Sequence, residues 1–237
     1  MRTTRTIAID GTAGSGKSTL GAALASRLGY TYFDSGVVYR ALTWLAHRRG
    51  IDSQDAAALA ALGREMKIEV APPTLRSAQG QAPDDGRQFT VFVDGEDATW
   101  AIRSAAVDQE VSIVSAHPDV RVVLTERLRR LAEGGGMVMV GRDIGTVVLP
   151  HADVKIYVTA TLEVRARRRC HELAARGLTA DYAAILADLR RRDALDGGRA
   201  AAPMRPAESA LRLQTDGLTV DEEVEWVTKR IKGTRVG

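Results

Sequence analysis

Thr6-Ile7-Ala8-Ile9-Asp10 runs directly into Gly11-Thr12-Ala13-Gly14-Ser15-Gly16-Lys17-Ser18, and the reading of this stretch decides the fold. The apolar run reads as a buried strand, and Gly11 to Ser18 fits G-x-x-x-x-G-K-[ST] at every fixed position. Leu20, Leu24 and Leu28 recur at i, i+4 and i+8, so the loop opens an amphipathic helix. A glycine-rich turn in that setting points successive backbone N–H groups at phosphate oxygens, and the helix adds its positive end. Lys17 supplies a mobile cation and Ser18 a hydroxyl for Mg²⁺. A nucleoside triphosphate site is therefore expected over Gly11, Thr12, Ala13, Gly14, Ser15, Gly16, Lys17, Ser18 and Thr19.

Working outward, short apolar runs alternate with helix-period segments, the pattern of a parallel sheet with helices on both faces. Strands are expected at Thr6–Asp10, Thr31–Phe33, Met137–Val140, Val154–Val158 and Leu211–Gln214. Helices are expected at Arg121–Glu133, with the stripe Val120, Leu124, Leu128, Leu131, and at Val220–Ile231, with Val220, Val224, Val227, Ile231; both stripes should face the sheet. Between Lys67 and Ile102 the character changes. Lys67–Val70 and Gln88–Val93 read as strands around a turn-rich stretch containing Pro72, Pro73 and Pro83-Asp84-Asp85-Gly86, a small inserted β-containing lobe.

The chain has 237 residues, enough for one sizeable α/β domain with an insertion. Its longest apolar run, Ala56 to Leu62, is too short to span a bilayer, and no targeting segment is visible. A lone cysteine, Cys170, excludes an internal disulfide framework and suits a reducing compartment, so a cytoplasmic protein is expected. The net charge of +3 is mild and is carried almost wholly by arginine, with five lysines in the chain. So modest an excess argues against a nucleic-acid partner.

Further groups fall at strand ends. Asp34-Ser35-Gly36 leads into a helix carrying Tyr39 and Arg40; Asp34 or Ser35 is either a helix cap or a ligand group. Gly141-Arg142-Asp143-Ile144-Gly145 follows another strand, with Arg142 suited to a phosphate and Asp143 to an amino group or hydrated metal. Arg165, Arg167, Arg168 and Arg169 crowd one helix, with Arg176 beyond, a like-charge cluster that an anion would relieve. On the next helix Tyr182, Ile185 and Leu189 mark a core-facing stripe that Arg192 continues inward, with Asp196 at i+4 as its expected partner and Arg199 just past Gly197-Gly198. The group is either a structural ion network or a receptor for an anionic, hydroxyl-bearing ligand.

Phosphoryl transfer asks for positioning and positive charge. A hydroxyl acceptor needs a base, whereas a phosphate monoester, with its second pKa near 6, is already largely ionised at neutral pH. Arginines at several strand ends, Arg40, Arg142, Arg192 and Arg199, favour the second case, a nucleoside monophosphate kinase.

At these residues, from the P-loop to beyond Arg199, the chain resembles the bacterial cytidylate kinase family. The resemblance rests on Asp10-Gly11 with the P-loop, Asp34-Ser35-Gly36 with Tyr39-Arg40, Gly141-Arg142-Asp143-Ile144-Gly145-Thr146-Val147-Val148, and Arg192-Asp193 through Asp196 to Arg199. It implies an α/β P-loop three-layer fold with a five-stranded parallel sheet, an inserted lobe at 67–105 that binds the monophosphate, a core in two parts, 1–66 and 106–237, and a short arginine-bearing lid near 165–178. It implies that ATP, with Mg²⁺ at Ser18, phosphorylates CMP, and dCMP as well, in a monomer without a general base. Ser35, Tyr39, Arg40, Arg103, Arg142 and Arg199 are then expected to hold CMP, with Arg192 and Asp196 near the ribose and Ser112, Arg121 and Asp143 reading the cytosine. Lys17, Arg142, Arg168, Arg169 and Arg192 are expected to serve the transfer, Arg168 and Arg169 from the lid. Two departures stand out: Val140 occupies a position where that family has an acidic residue, and 71–87 is long for the lobe.

Three rival readings remain. A non-catalytic or regulatory P-loop switch is the first, although its guanine-specific version needs an Asn-Lys-x-Asp segment, which a chain without asparagine cannot build. A nucleic-acid-stimulated ATPase would exploit the arginine-rich helix. A kinase for a hydroxyl-bearing metabolite is the nearest enzymatic alternative.

Overall fold

A computed structural model describes residues 5–71, 89–175, 177–198 and 204–233. Arg176, Arg199 and most of the turn-rich stretch 71–87 lie outside the described residues, as does Gln88 at the head of one expected strand. The first compact unit comprises Met1–Ser35 with Leu128–Gly237, the second Gly36–Arg127. The second is wider than the lobe expected at 67–105, because α2 (Gly36–Arg48) packs on α4 (Ala105–Val114) and on α3 (Ala56–Glu65) and so draws the flanking helices into one body.

The first unit is built on a parallel sheet of five strands, β1 (Thr6–Gly11), β2 (Thr31–Asp34), β6 (Met137–Gly141), β7 (Val154–Thr159) and β8 (Leu211–Gln214). They lie in the order β2-β6-β1-β7-β8. All were expected from the apolar runs. The register sets Asp34 beside Val140, and Asp10 between Gly141 and Tyr157, so the segments that leave β2, β6 and β1 emerge along one edge. Helices α1 (Lys17–Leu28) and α8 (Val220–Gly233) pack together over the sheet. There Ile7, Ile9, Leu20, Leu24, Val138, Val140, Ile156, Val158, Leu213, Val227 and Ile231 form one buried cluster. Val224 packs on it, as the stripe predicts, while Val220, the first residue of α8, is exposed.

In the second unit β3 (Ile68–Ala71), β4 (Thr90–Val93) and the two-residue β5 (Glu96–Asp97) pair antiparallel. The helix α5 (Pro118–Ala132) begins in this unit. Its Leu124 packs beside Gly63 of α3 and Leu42 of α2, and further along Leu131 is exposed while Ala132 is buried. The stripe passes from Leu128 to Ala132 at i+4, which follows the 3.6-residue period more closely than Leu131 at i+3. Helices α6 (Leu162–Ala175) and α7 (Tyr182–Gly197) complete the first unit. Among the described residues no helix is long and apolar enough to cross a membrane.

Val140, the apolar departure at the end of β6, is fully buried against α1. A Cβ on Gly21 of α1 would stand 2.5 Å from Val140 Cγ1 and 3.1 Å from Tyr32 Cε2. This close approach fixes the height of the helix, and so of the loop before it, above the sheet. Gly21→Ala is expected to destabilise the protein by about 1–3 kcal/mol through overpacking. Combining it with Val140→Ala should recover part of that loss in chemical denaturation; full additivity would mean that the two side chains do not compete for one space.

Candidate active site

The phosphate loop turns on two glycines. Gly11 has φ +152°, and a Cβ there would run into the carbonyl oxygen of Val158 on β7; Gly16 has φ +93°, a left-handed conformation costly for any other residue. Gly16 is also the N-cap of α1 and offers no side chain to its first N–H groups. By contrast Asp55, Ser104 and Asp181 cap α3, α4 and α7 with side-chain oxygens. The uncapped amides of α1 and its positive end suit an anion. Inside the loop Lys17 Nζ and Ser15 Oγ both donate to the Thr12 carbonyl at 2.9 Å. Thr12 Oγ1 is buried with no hydrogen-bond partner among the described residues, an orphaned hydroxyl that a phosphate oxygen would satisfy.

Three arginines hold the outward carbonyls of the same loop. Arg142 donates to Gly11 O at 2.9 Å and to the Asp196 carboxylate at 2.7 Å. Arg165 donates to Ala13 O at 3.2 Å and grips Asp193 with both terminal nitrogens, at 3.0 and 2.6 Å. Arg168 donates to Ser15 O at 3.3 Å and to Thr215 Oγ1 and O at 2.9 and 2.8 Å; Thr215 Oγ1 itself donates to Ser15 O. Arg165 and Arg168, expected in a solvated or phosphate-covering cluster, are thus placed beneath the loop, and Arg165 is buried. Arg169 pairs with Glu172 on its own helix. Arg192 pairs with Asp188 at 3.0 Å, and Asp196 accepts from Arg142 at 2.7 Å. Tyr182, placed by sequence on the inward stripe, is exposed, while Ile185 and Leu189 of the same stripe, with Leu186, pack toward Ala13 and Ala166.

Asp10 organises the segment after β6. Its two carboxylate oxygens accept from the N–H groups of Ile144 and Gly145 at 2.6 and 2.8 Å, capping a π-helical turn over Ile144–Val148. Asp143 is buried just before that turn. Ser35 is buried too, its N–H bound to Val140 O, and a Cβ on Gly141 would collide with its Oγ. Burial raises the Asp10 carboxyl to about 6, the two amides drawing it back, Asp143 pushing it further up and Lys17 holding it down. Burial lowers the Lys17 ammonium to about 7, with Arg142 adding to the fall and Asp34, Asp196 and Asp10 opposing it. Ser18 Oγ donates to Asp34 at 3.2 Å, placing a hydroxyl and a carboxylate oxygen side by side.

In the second unit Arg40 donates to Ile102 O at 3.1 Å and pairs with Asp108 at 2.6 Å. Arg121 is buried, donates to Ser115 O at 3.1 Å and lies 5.5 Å from the Tyr39 ring centre. Ser112, on α4, is half-buried, and the exposed Arg103 lies against Phe89 and Trp100. Residues that sequence reading missed are Asp10 as the cap of the π-helical turn, Asp193, Asp108 and Thr215. Only Asp10 and Asp193 sat inside quoted motifs, where an acid beside a glycine or an arginine was the available signal.

The sign of the Lys17 shift gives a test. A folded-state pKa below the unfolded value means that the unfolded chain binds the proton more tightly between about pH 7 and 10.5, so this group's contribution to stability grows as pH rises through that window. A triphosphate brought to the loop raises the pKa again, so binding near pH 8 should take up close to one proton, roughly, and little near pH 6. Calorimetry in buffers of different ionisation enthalpy measures this; Lys17→Met should abolish the uptake, and a wild type without it would mean that Lys17 is already charged.

Comparison with known proteins agrees with these motifs. The family model described as cytidylate kinase matches residues 7–233. The cytidylate kinase of Chloroflexus aggregans is 50% identical over 230 residues, covering 97% of this chain and 95% of that protein. That of Geobacillus kaustophilus is 46% identical over 237 residues, covering all of both. The bifunctional pantoate ligase/cytidylate kinase of Synechococcus elongatus is 44% identical over 231 residues, covering 98% of this chain and 42% of that longer protein. With Asp10, the phosphate loop and the Gly141–Val148 segment held together at one sheet edge, the chain belongs to the cytidylate kinase family.

Proposed function

We propose that this protein transfers the γ-phosphoryl group of ATP to CMP, and less efficiently to dCMP, giving ADP and CDP or dCDP. The observation that carries the reading is the Asp10 clamp. One buried carboxylate beside the phosphate loop fixes the two amides after Asp143, so the groups for donor phosphates and for the acceptor base share a rigid frame.

Gly11 to Thr19 take the ATP phosphates. The hydroxyl of Ser18 beside the Asp34 carboxylate is a hard-oxygen pair that fits Mg²⁺, which would neutralise charge on the transferring phosphates. Lys17 and Arg142 add positive charge, and Arg169 and Arg192 are assigned to the same task. Arg168, bound below Ser15, supports the loop's shape. The acceptor phosphate is ionised at neutral pH, so no side chain has to remove a proton. Ser35, Tyr39, Arg40, Arg103, Arg142 and Arg199 are assigned to CMP and its phosphate, Arg192 and Asp196 to the ribose. Cytosine presents an N4 donor beside acceptors at N3 and O2; Asp143 accepts from the first, and Arg121 and Ser112 serve the others. The O4 of uracil would face Asp143 as acceptor against acceptor.

A coupled ADP-release assay with Mg·ATP tests this, offering CMP, dCMP, UMP, AMP, GMP and shikimate in parallel. CMP should lead with UMP far behind, and Asp143→Ala should lower kcat/KM for CMP on the order of 10- to 100-fold while narrowing the gap to UMP. Equal loss toward every acceptor would sink the base assignment, and turnover of none with ATP binding intact would sink the kinase.

A further inference from the structure

The tie between Arg165 and Asp193 has no part in the transfer just described, yet it holds a buried guanidinium against the phosphate loop, the Arg165 side chain being 6% exposed and that of Asp193 27%. We propose that Arg165 and Asp193 are positioning residues that set the register of α7 against the phosphate loop, and through it the placement of the acceptor. The inference rests on the CMP kinase reading, in which α7 carries Arg192 and Asp196 toward the ribose.

The geometry is a pair of parallel links. Asp193 and Asp196 stand three residues apart, so they share a face of α7. Each is held by an arginine that also donates to a loop carbonyl: Asp193 by Arg165, which reaches Ala13 O, and Asp196 by Arg142, which reaches Gly11 O. A step of one helical turn along α7 is thereby matched to a step of two residues along the loop. Sliding or rotating α7 breaks both links together. Asp193 is also the direct neighbour of Arg192 in sequence, so the grip on one sets the direction of the other.

Stability alone does not account for such a pair. The apolar cluster of Ala13, Ala166 and Leu189, with Leu162, Ile185 and Leu186 packed on it, already joins the loop, α6 and α7. A buried ion pair is costly to desolvate, and well-packed apolar residues of similar size often serve stability as well or better. Apolar contact tolerates small slides; a two-pronged guanidinium–carboxylate fit does not. The ion pair therefore supplies register where the cluster supplies adhesion.

The experiment replaces the pair without leaving a lone charge. Arg165→Met with Asp193→Leu also takes the Arg165 donor from Ala13 O, so it should melt somewhat below the wild type but still cooperatively, while KM for CMP rises roughly tenfold or more and KM for ATP by no more than about threefold. Asp193→Glu should recover part of the CMP affinity in the otherwise wild-type chain relative to Asp193→Asn. A stable double variant with the wild-type KM for CMP overturns the proposal, because a purely structural tie predicts that result. Should the double variant fail to fold, Arg165→Lys, which keeps the charge and loses the fork, is judged by the same ratio of the two KM values. Wild-type protein that phosphorylates no CMP overturns the functional reading and this inference together; wild-type turnover with an unmoved KM in the variants overturns this inference alone.

Discussion

A phosphate loop has two sides, and the outward side governs this molecule. To turn its N–H groups toward an anion, the backbone from Gly11 to Gly16 must turn carbonyls the other way, into the protein, where each needs a donor. Gly11, Ala13 and Ser15 find theirs in Arg142, Arg165 and Arg168, and Thr12 in Lys17 and Ser15. Those arginines come from three places in the chain, the segment after β6 and two turns of α6. Each also reaches a second acceptor, Asp196, Asp193 or Thr215. The shape of the loop is thus held by the parts of the fold around it, and the helices α6 and α7 are held by the loop.

The same region concentrates electrostatic cost. Asp10, Lys17 and Asp143 are all buried, with Asp10 lifted to about 6 and Lys17 lowered to about 7 by loss of hydration. Behind the loop, burial raises Glu223 to about 7, with Arg168 pulling it back. Groups whose charged forms are this disfavoured are poised for a partner of opposite sign, and for Lys17 the partner in the proposed reaction is a phosphate. Asp10 differs: its charge is already met by two backbone amides, so its work is to hold a turn, not to meet a substrate.

The sheet was legible in the sequence because buried parallel strands are short apolar runs, and all five were found to within a residue or two. The phosphate loop was legible because its glycines and Lys17 are local requirements of one turn. Pairing between distant segments could not be read. Arg165 read as one member of an anion-binding arginine cluster, since nothing in sequence places Asp193 opposite it, and nothing in sequence joins Asp196 to Arg142, which is 54 positions away in the chain. The second unit reaches beyond the strands whose composition sets them apart. Its strand pair differs visibly in composition from the core, whereas α2, α3 and α4 join it by packing, which leaves no mark on any one of them.

The abundance of arginine in this chain then has a structural meaning beside any compositional one. Arg142, Arg165 and Arg168 each serve two acceptors at fixed angles, a carbonyl on one side and a carboxylate or threonine on the other. A planar fork does this; a lysine, with its point charge on a flexible stem, would satisfy one acceptor and leave the geometry of the other loose. Lys17 is placed where the opposite property is wanted, on a mobile stem whose single ammonium rests on Thr12 O at 2.9 Å. The division of labour follows from hydrogen-bond geometry: rigid cations define the loop, and the flexible one suits the proposed phosphate, whose position changes during transfer.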